Sequence, residues 1–294
     1  MAELVTLVSG GIFFEGPRWH QGKWWVSDFY DHRVSCISPE GARETVVEVE
    51  SQPSGLGWLP DGSLVISSML DRRVLRLADG RLSTLADLSA QCSGHLNDLV
   101  VDAHGNIFVG DFGFDLNGGE PVRPTTLKRV GPDGSVAVVA EELWFPNGSV
   151  ITPDGATLIV GETFGNRYSA WNLSPDGGLS NRRVWARFGP DIDFSQPDGP
   201  QQMVVAPDGC ALDADGHLWV ADAIGGRAVR VAPGGAIVDE IRAPDGLGVF
   251  ACSLGGPSGH TLLLCAVPPV ATLDSAGPRD AVLLTSEVAV PAPG

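Results

Sequence analysis

The chain has 294 residues with 36 Asp or Glu against 19 Lys or Arg, so its formal net charge is −17. A chain this acidic lacks the clustered basic side chains that bind phosphate groups. This argues against nucleic acid and against an anionic membrane surface as partners. Hydrophobic residues make up 43% of the chain, enough for a substantial core. The 38 Gly and 22 Pro are spread throughout, a composition typical of short strands joined by tight turns.

Neither a membrane segment nor an export signal is recognisable. No apolar run reaches the length of a transmembrane helix. The start, MAELVTLVSGG, has neither the basic residues nor the long apolar stretch of a signal peptide. The five cysteines form no Cys-x-x-Cys pair, which argues against a disulfide framework or a thiolate zinc site. We therefore expect a cytoplasmic protein.

A glycine followed by a β-type run recurs six times. In chain order the copies read HQGKWWVSD, PDGSLVISS, AHGNIFVGD, PDGATLIVGET, ADGHLWVAD and PSGHTLLLCA. A second strand and turn follow in five copies, as in RVSCISPEG and RVLRLADG, and AVLLTSEVAV is the equivalent in the sixth. A β-sandwich or β-helix would also give loose glycine–strand matches, but the two-part pattern favours four-stranded propeller blades.

These repeats predict an all-β protein, a six-bladed β-propeller that forms a single domain over residues 1–294. We expect the N-terminal strand near residues 4–8 to pair with C-terminal strands, because closing the ring removes exposed sheet edges.

A polar residue, usually followed by glycine, precedes the blade glycine by seven residues in the first copy and by eight in copies two to five. The innermost strand of a propeller blade lines the central channel, so equivalent positions form a ring around the axis. The predicted ring is Glu15, Ser54, Asn97, Asn147, Asp208 and Asp245. The same spacing favours Asp208 over Asp198, which we interpret as a loop residue.

Three carboxylates and two carboxamides on one axis would repel each other and be partly desolvated. A bound cation would resolve this, and a ligand set made only of oxygen suits hard cations such as Ca²⁺, Mg²⁺ or Mn²⁺. Each residue alone is also an ordinary turn residue that opens a strand, so the prediction depends on the aligned set.

Four motifs resemble the regucalcin/gluconolactonase family, also called senescence marker protein-like lactonases. They are FFEGPRWH, HLNDLVVDAHGNIFVGD, FPNGSVITPDGATLIVGET and PDGCALDADGHLWVADAIGGRAVRV, and they fall in register across nearly the whole chain. The resemblance implies that Glu15, Asn147 and Asp208 hold one divalent cation. The hardness of these ligands favours Ca²⁺, with Zn²⁺, Mg²⁺ or Mn²⁺ as alternatives. The resemblance also implies that Asp208 acts as general base and that Asn97 contacts the substrate or a water on the metal.

The chain departs from the family pattern at two places. The third position of the family's Asn-Asp-Gly motif is Leu99, and His95 stands where some relatives carry an Arg that they use on sugar-acid substrates. A more apolar lactone or ester therefore competes with a sugar-acid lactone as substrate. Candidate substrate contacts are His95, Asn97, Trp19 and Phe112, with Phe14, Phe114 and Phe164 as further candidates for the pocket wall. We expect the segment 186–206 to form a loop at the channel mouth.

The favoured function is a metal-dependent hydrolase that opens a small lactone, with the cation polarising the carbonyl group and Asp208 taking a proton from water. Alternatives are a non-catalytic calcium- or ligand-binding propeller, and the same site used for phosphotriester hydrolysis or for a lyase or isomerase step. The sequence has no Gly-x-Ser-x-Gly elbow, which argues against a serine hydrolase. We expect a small-molecule lactone or ester as the ligand, neither nucleic acid nor membrane as partner, and a monomer or weak homo-oligomer.

Overall fold

The computed structural model describes residues 3–196, 198–268 and 277–294. They form six antiparallel four-stranded sheets arranged as a six-bladed β-propeller, which confirms the predicted fold class. The strands are β1 (Val5–Gly11); in blade one β2 (Phe14–His20), β3 (Lys23–Asp28), β4 (Arg33–Ile37) and β5 (Arg43–Glu48); in blade two β6 (Pro53–Trp58), β7 (Leu64–Ser68), β8 (Arg73–Ala78) and β9 (Arg81–Asp87); in blade three β10 (Leu96–Val101), β11 (Ile107–Asp111), β12 (Thr125–Val130) and β13 (Val136–Leu143); in blade four β14 (Pro146–Ile151), β15 (Thr157–Glu162), β16 (Arg167–Leu173) and β17 (Leu179–Arg187); in blade five β18 (Pro207–Leu212), β19 (Leu218–Asp222), β20 (Arg227–Val231) and β21 (Ile237–Arg242); and in blade six β22 (Gly248–Gly255), β23 (Thr261–Val267) and β24 (Ala281–Glu287).

Helical structure in the described ranges is confined to two short 3₁₀ turns, Phe29–Asp31 and Gly199–Gln202. Neither is long or apolar enough to cross a membrane.

The N-terminal strand closes the ring. β1 is the outer strand of blade six and pairs antiparallel with β24, with Val5 opposite Thr285 and Gly11 opposite Ala281. The predicted pairing of the two chain ends is therefore confirmed, and it joins the start of the chain to the last blade of the ring.

The core lies between successive blades. One cluster joins Phe14, Trp24 and Val26 of blade one to Leu263 and Cys265 of blade six. The second strand of each blade is buried along most of its length, as in β7. Outer strands such as β21 are exposed at nearly every position. The repeated apolar run after each blade glycine is thus explained by burial on both faces.

The glycine after the ring residue is required by the close approach of neighbouring inner strands. A Cβ on Gly148 would lie 2.2 Å from the carbonyl oxygen of Asp208, and one on Gly16 would lie 2.5 Å from that of Ser54. Both distances are far below van der Waals contact, so a side chain at either place would push two blades apart. This packing brings the ring residues together on the axis.

Four second strands end in a buried carboxylate that holds a neighbouring segment, which precedes the inner strand of the blade in three cases and follows the second strand in the case of Asp111. These are Asp28, Asp111, Glu162 and Asp222, and they accept backbone N–H groups of Phe13, Gly113, Trp144 and Ala206 respectively. Each also forms an ion pair with a basic side chain of its own blade, namely Arg43, Lys128, Arg167 and Arg227. The loops at this end of the channel are therefore tied to the rigid blades.

Candidate active site

A cavity of about 280 Å³ occupies the channel at the end where the second strands finish. Its floor is formed by the second residue of the inner strand in each of the first five blades, and these are Glu15, Ser54, Asn97, Asn147 and Asp208. The structure therefore brings five of the six predicted ring residues to one place.

The prediction that Asp245 completes the ring is wrong. Asp245 is exposed and lies before β22, in a turn where Gly246 has φ of 83°. The Asp-Gly pair of this copy thus makes the turn rather than opening the inner strand. Phe250 lies where the pairing of β22 with β23 is irregular, between Val249 and Ala251, and its side chain lines the cavity. The sixth blade therefore contributes an aromatic ring, and the floor has two carboxylates instead of three.

The two floor carboxylates are buried and repel each other. Glu15 is 9% exposed and Asp208 is 8% exposed. Burial, followed by the charge of Asp208, raises the pKa of Glu15 well above its ordinary value. Burial, followed by the charge of Asp98, raises the pKa of Asp208 to about 8, against weaker opposing effects of the Asn147 amide and the Gly209 N–H. An ion-free floor therefore disfavours two negative charges.

Hydrogen bonds orient the two carboxamides. Nδ2 of Asn147 donates to Oγ1 of Thr163 at 3.2 Å, and that hydroxyl donates to the carbonyl oxygen of Pro207 at 2.7 Å. Nδ2 of Asn97 donates to the carbonyl oxygen of Pro146 at 3.2 Å. With the nitrogens used in this way, the Oδ1 atoms of both amides accept no hydrogen bond from any described residue, so both remain available as ligands or acceptors.

An ion pair lies next to the floor and explains the Asp98 charge. Asp98 occupies the place where most inner strands have glycine, and its Oδ1 accepts a hydrogen bond from Nη2 of Arg18 at 2.8 Å. The same Nη2 donates to the carbonyl oxygen of Leu99 at 2.8 Å. Arg18 belongs to β2 and Asp98 to β10, so this bridge links the first and third blades across the channel.

Three of the four predicted substrate contacts line the cavity and one does not. His95, Asn97 and Phe112 line it, as does Phe164. Trp19 does not, because β2 is irregular between Glu15 and Arg18 and its far end packs into the blade, with the Trp19 ring 4.8 Å from that of Trp24. The wall prediction also fails for Phe14 and Phe114, which are buried at 2% and 1% exposure and lie outside the cavity lining.

Two further levels of side chains rise above the floor, and the sequence analysis recognised only part of them. The residue two places before each floor residue lines the cavity, and this set is Phe13, Gln52, His95, Phe145 and Ala206. The residue that follows each second strand also lines it, and this set is Phe29, Met69, Phe112, Thr163 and Ala223. The fixed offsets from the repeat would have identified both sets, because each set occupies equivalent positions of successive blades.

The segment 186–206 covers one side of the channel mouth, as predicted. Met203 and Ala206 line the cavity. The ring of Phe194 packs 5.5 Å from Phe164 and 5.8 Å from Trp144. Asp198 is exposed at the start of the second 3₁₀ turn and does not line the cavity, in agreement with its interpretation as a loop residue.

Among the described residues no group of three His, Cys, Asp or Glu side chains is placed to hold a metal. A cation at the floor would have to be held by two carboxylates together with carboxamide oxygens, which is the hard-ligand chemistry of Ca²⁺ or Mg²⁺ rather than that of a thiolate or imidazole site.

This chain is similar to known proteins in sequence and, by structural superposition, in fold. Pentonolactonase XacC from Haloferax volcanii is 30% identical over 248 residues, covering 83% of this chain and 77% of that protein. A 6-deoxy-6-sulfogluconolactonase from Pseudomonas putida is 25% identical over 240 residues, covering 79% and 76%. The crystal structure of regucalcin, a calcium-binding protein from Agrobacterium tumefaciens, superposes with a TM-score of 0.77 at 19% identity, covering 99% of this chain and 95% of that chain. Residues 13–267 match the family described as SMP-30/Gluconolactonase/LRE-like region. The chain therefore belongs to the SMP-30/gluconolactonase/LRE-like family.

Proposed function

We propose that this protein is a metal-dependent lactonase that opens a small lactone ring at the floor of the central channel. The observation that carries the proposal is the convergence of two buried carboxylates and two oriented carboxamides in one cavity. Relatives named as a pentonolactonase and a 6-deoxy-6-sulfogluconolactonase align over most of the chain, which supports lactone hydrolysis as the reaction.

The donor set at the floor fits a divalent cation. Both carboxylates have pKa values raised by burial, so each would be stabilised by a neighbouring positive charge. Glu15 and Asp208 would supply negative charge and Asn147 a neutral oxygen, leaving one formal positive charge on the ion. The calcium-binding regucalcin shares the fold, and we propose Ca²⁺ as the preferred ion.

A bound cation would polarise the lactone carbonyl and stabilise the negative charge that develops on its oxygen. Asp208 accepts a proton from the attacking water, whose oxygen bonds to the carbonyl carbon. The ring C–O bond then breaks, the proton passes to the departing ring oxygen, and a hydroxy acid is released. Asn97 offers its Oδ1 to a donor on the water or substrate. Proton transfer by a positioned carboxylate is typically worth about 10²–10⁴-fold in rate.

His95 is placed to contact the substrate as a neutral imidazole. Its ring centroid lies 5.7 Å from that of Phe112. Burial lowers its pKa, so at neutral pH it carries no charge with which to bind an anion.

The metal part of the proposal is tested by calcium titration calorimetry on chelator-treated protein. We expect one site in the wild type, no binding in Asp208→Ala, and normal binding in the exposed control Asp198→Ala. Equal behaviour of the two variants would contradict the assignment of Asp208 to the cation site.

The catalytic part is tested by δ-valerolactone hydrolysis followed in a pH-stat with and without chelator. Asp208→Asn keeps one oxygen ligand but cannot accept a proton, so we expect retained metal affinity with turnover lower by roughly 10²-fold or more. Asn97→Ala should raise KM or lower kcat while metal binding stays intact. A protein that binds calcium but hydrolyses no lactone or ester would be a binding propeller instead.

We also propose a cytoplasmic location. All five cysteines are free and buried, which is the state expected of thiols in a reducing compartment.

A further inference from the structure

We propose that the substrates are uncharged lactones whose ring carries an aryl or alkyl group, and that sugar lactones and anionic lactones are poor substrates. This inference rests on the proposed lactonase function and concerns the part of the substrate that does not react. It follows from a separation of polar and apolar groups within the cavity.

The floor of the cavity is entirely polar, whereas 12 of the 17 described lining residues above it are apolar. Four of the five polar floor residues are already assigned to the cation or to catalysis, namely Glu15, Asn97, Asn147 and Asp208. Above the floor, the described lining residues with polar side chains are Tyr30, Gln52, His95, Asn117 and Thr163. Thr163 is already engaged with Asn147 and Pro207, and Asn117 is exposed at the rim.

The walls are aromatic on two sides. On the side of blades six and one, the Phe13 ring lies 4.5 Å from that of Phe29 and 5.0 Å from that of Phe250. On the side of blades three and four, the Phe145 ring lies 4.3 Å from that of Phe112 and 5.1 Å from that of Phe164. Six of the 11 phenylalanines in the chain therefore line this one cavity.

Apolar side chains continue from these walls to the mouth. Met69 and Met203 line the cavity, as do Leu116 and Ile224, which are 45% and 54% exposed at its entrance. A polyhydroxylated ring would lose its bound water against such walls and regain few of the hydrogen bonds, whereas an aryl or alkyl group would be removed from water favourably.

Charge disfavours an anionic substituent in the part of the cavity above the floor. The described residues that line the cavity include no Lys or Arg, and the two floor residues that ionise, Glu15 and Asp208, are acidic. A carboxylate or sulfonate on the substrate would enter without a cationic partner above the floor.

The inference is tested with lactones that share a six-membered ring and differ in substituents. δ-Valerolactone reports the reaction itself, δ-decalactone and dihydrocoumarin add alkyl and aryl groups, and glucono-δ-lactone adds hydroxyls. Dihydrocoumarin releases a phenol and is intrinsically more reactive, so each kcat/KM is divided by the rate constant for hydrolysis of the same lactone by hydroxide. We expect this ratio for the two apolar lactones to exceed that for δ-valerolactone about tenfold and that for glucono-δ-lactone about 10²-fold, the range that apolar contacts supply in a pocket. Turnover of δ-valerolactone with glucono-δ-lactone as the better substrate would overturn the inference and leave the proposed function standing.

Binding of unreactive lactams separates the two claims if no lactone is hydrolysed. Calorimetry compares 3,4-dihydro-2-quinolinone, the lactam analogue of dihydrocoumarin, with gluconolactam. At least tenfold tighter binding of the quinolinone supports the inference even if the protein lacks turnover, and equal or tighter binding of gluconolactam overturns it.

Two wall variants test the residues. Phe250→Ser and Phe112→Ser should each lower the ratio of kcat/KM between dihydrocoumarin and glucono-δ-lactone at least tenfold. Val238→Ser changes an exposed side chain of β21, outside the cavity, and should leave the ratio unchanged. An unchanged ratio in both wall variants would refute the role of the aromatic walls, and Phe112→Ser decides if Phe250→Ser fails to fold.

Discussion

Replacing Asp208 by Asn should stabilise the metal-free protein near pH 8 and weaken a pH dependence that the wild type shows. Without a cation, burial first and the charge of Asp98 second raise the pKa of Asp208 from its ordinary 3.8 to about 8. The folded chain therefore keeps a proton on Asp208 at pH values where the unfolded chain has lost it. Linkage then makes folding less favourable as the pH rises from about 4 to about 8.

The size of the effect follows from the same two pKa values. One carboxyl group costs about 1.4 kcal/mol of unfolding free energy for each pH unit in that window, which sets an upper limit of roughly 5 kcal/mol near pH 8. Glu15 is repelled by Asp208, so neutralising one relieves the other. For a free-energy difference of about 3–5 kcal/mol, the melting temperature of the Asp208→Asn variant should exceed that of the wild type by roughly 5–8 °C near pH 8, since a chain of this length gains about 1.6 °C per kcal/mol.

The assay is thermal unfolding in chelator between about pH 5.5 and about pH 8, where exposed carboxylates such as Asp87, whose pKa is about 2, stay ionised throughout. The wild type should lose stability more steeply than the variant as the pH rises, because the variant keeps only Glu15 as a floor carboxyl with a raised pKa. Added Ca²⁺ should make the wild type more stable than the variant, because the wild type has two charged ligands for the ion and the variant has one. The exposed control Asp198→Asn should follow the wild type. Parallel curves for wild type and Asp208→Asn would refute the description of the floor as two mutually repelling buried carboxylates.

Three further outcomes follow from other parts of the structure. Lys128→Met should lower the free energy of unfolding by about 3–5 kcal/mol in urea titration, since the Asp111 carboxylate is left buried without its cationic partner. Adding Asp111→Asn should restore part of the loss. No loss in the single variant would show that the ion pair is not needed for stability. Gly148→Ala should weaken calcium binding and lower the melting temperature, because its Cβ would collide with the backbone of Asp208, and unchanged calcium affinity would contradict that account. Ellman's reagent should react with few of the five buried thiols in the native protein and with all five in guanidinium, since burial raises the pKa of Cys92 to about 12; rapid native reaction would show that the blades open readily.

The blade count and five of the floor positions could be predicted because both follow from the repeat. A glycine turn and a buried strand at fixed spacing leave few other all-β architectures. The recurring polar residues predict a shared site only once the inner strands are known to be arranged around one axis. The same reasoning failed for Asp245, because an Asp-Gly pair suits a tight turn as well as it suits the start of an inner strand. Only the pairing of β22 with β23 shows which of the two is present.

Trp19 shows a second limit of sequence reasoning. Its nearness to Glu15 along the chain suggested nearness to the site, but the irregular pairing between Glu15 and Arg18 changes which face of β2 each later residue occupies. An extra residue in a strand reverses the inside–outside alternation beyond it. Such an irregularity has no reliable sequence signal, so the positions beyond it could not be assigned. The positions before the floor residues, such as Phe13 and Phe145, could have been assigned, since each stands two residues before a floor residue in its copy of the repeat.

The two halves of the cavity differ in how strongly the fold constrains them. The floor residues lie in inner strands whose glycines leave no room for movement, as at Gly148, so the position of the reacting groups is a consequence of blade packing. The upper wall residues directly follow second strands. Buried carboxylates such as Asp28 and Asp111 hold the loops near these wall residues by accepting backbone N–H groups, and the wall side chains take no part in those hydrogen bonds. A wall side chain at Phe29 or Phe112 can therefore change in size or polarity without altering what holds the loop. For this reason the chemistry of the floor follows from the fold, whereas the substrate must be inferred from the side chains that this particular chain places above it.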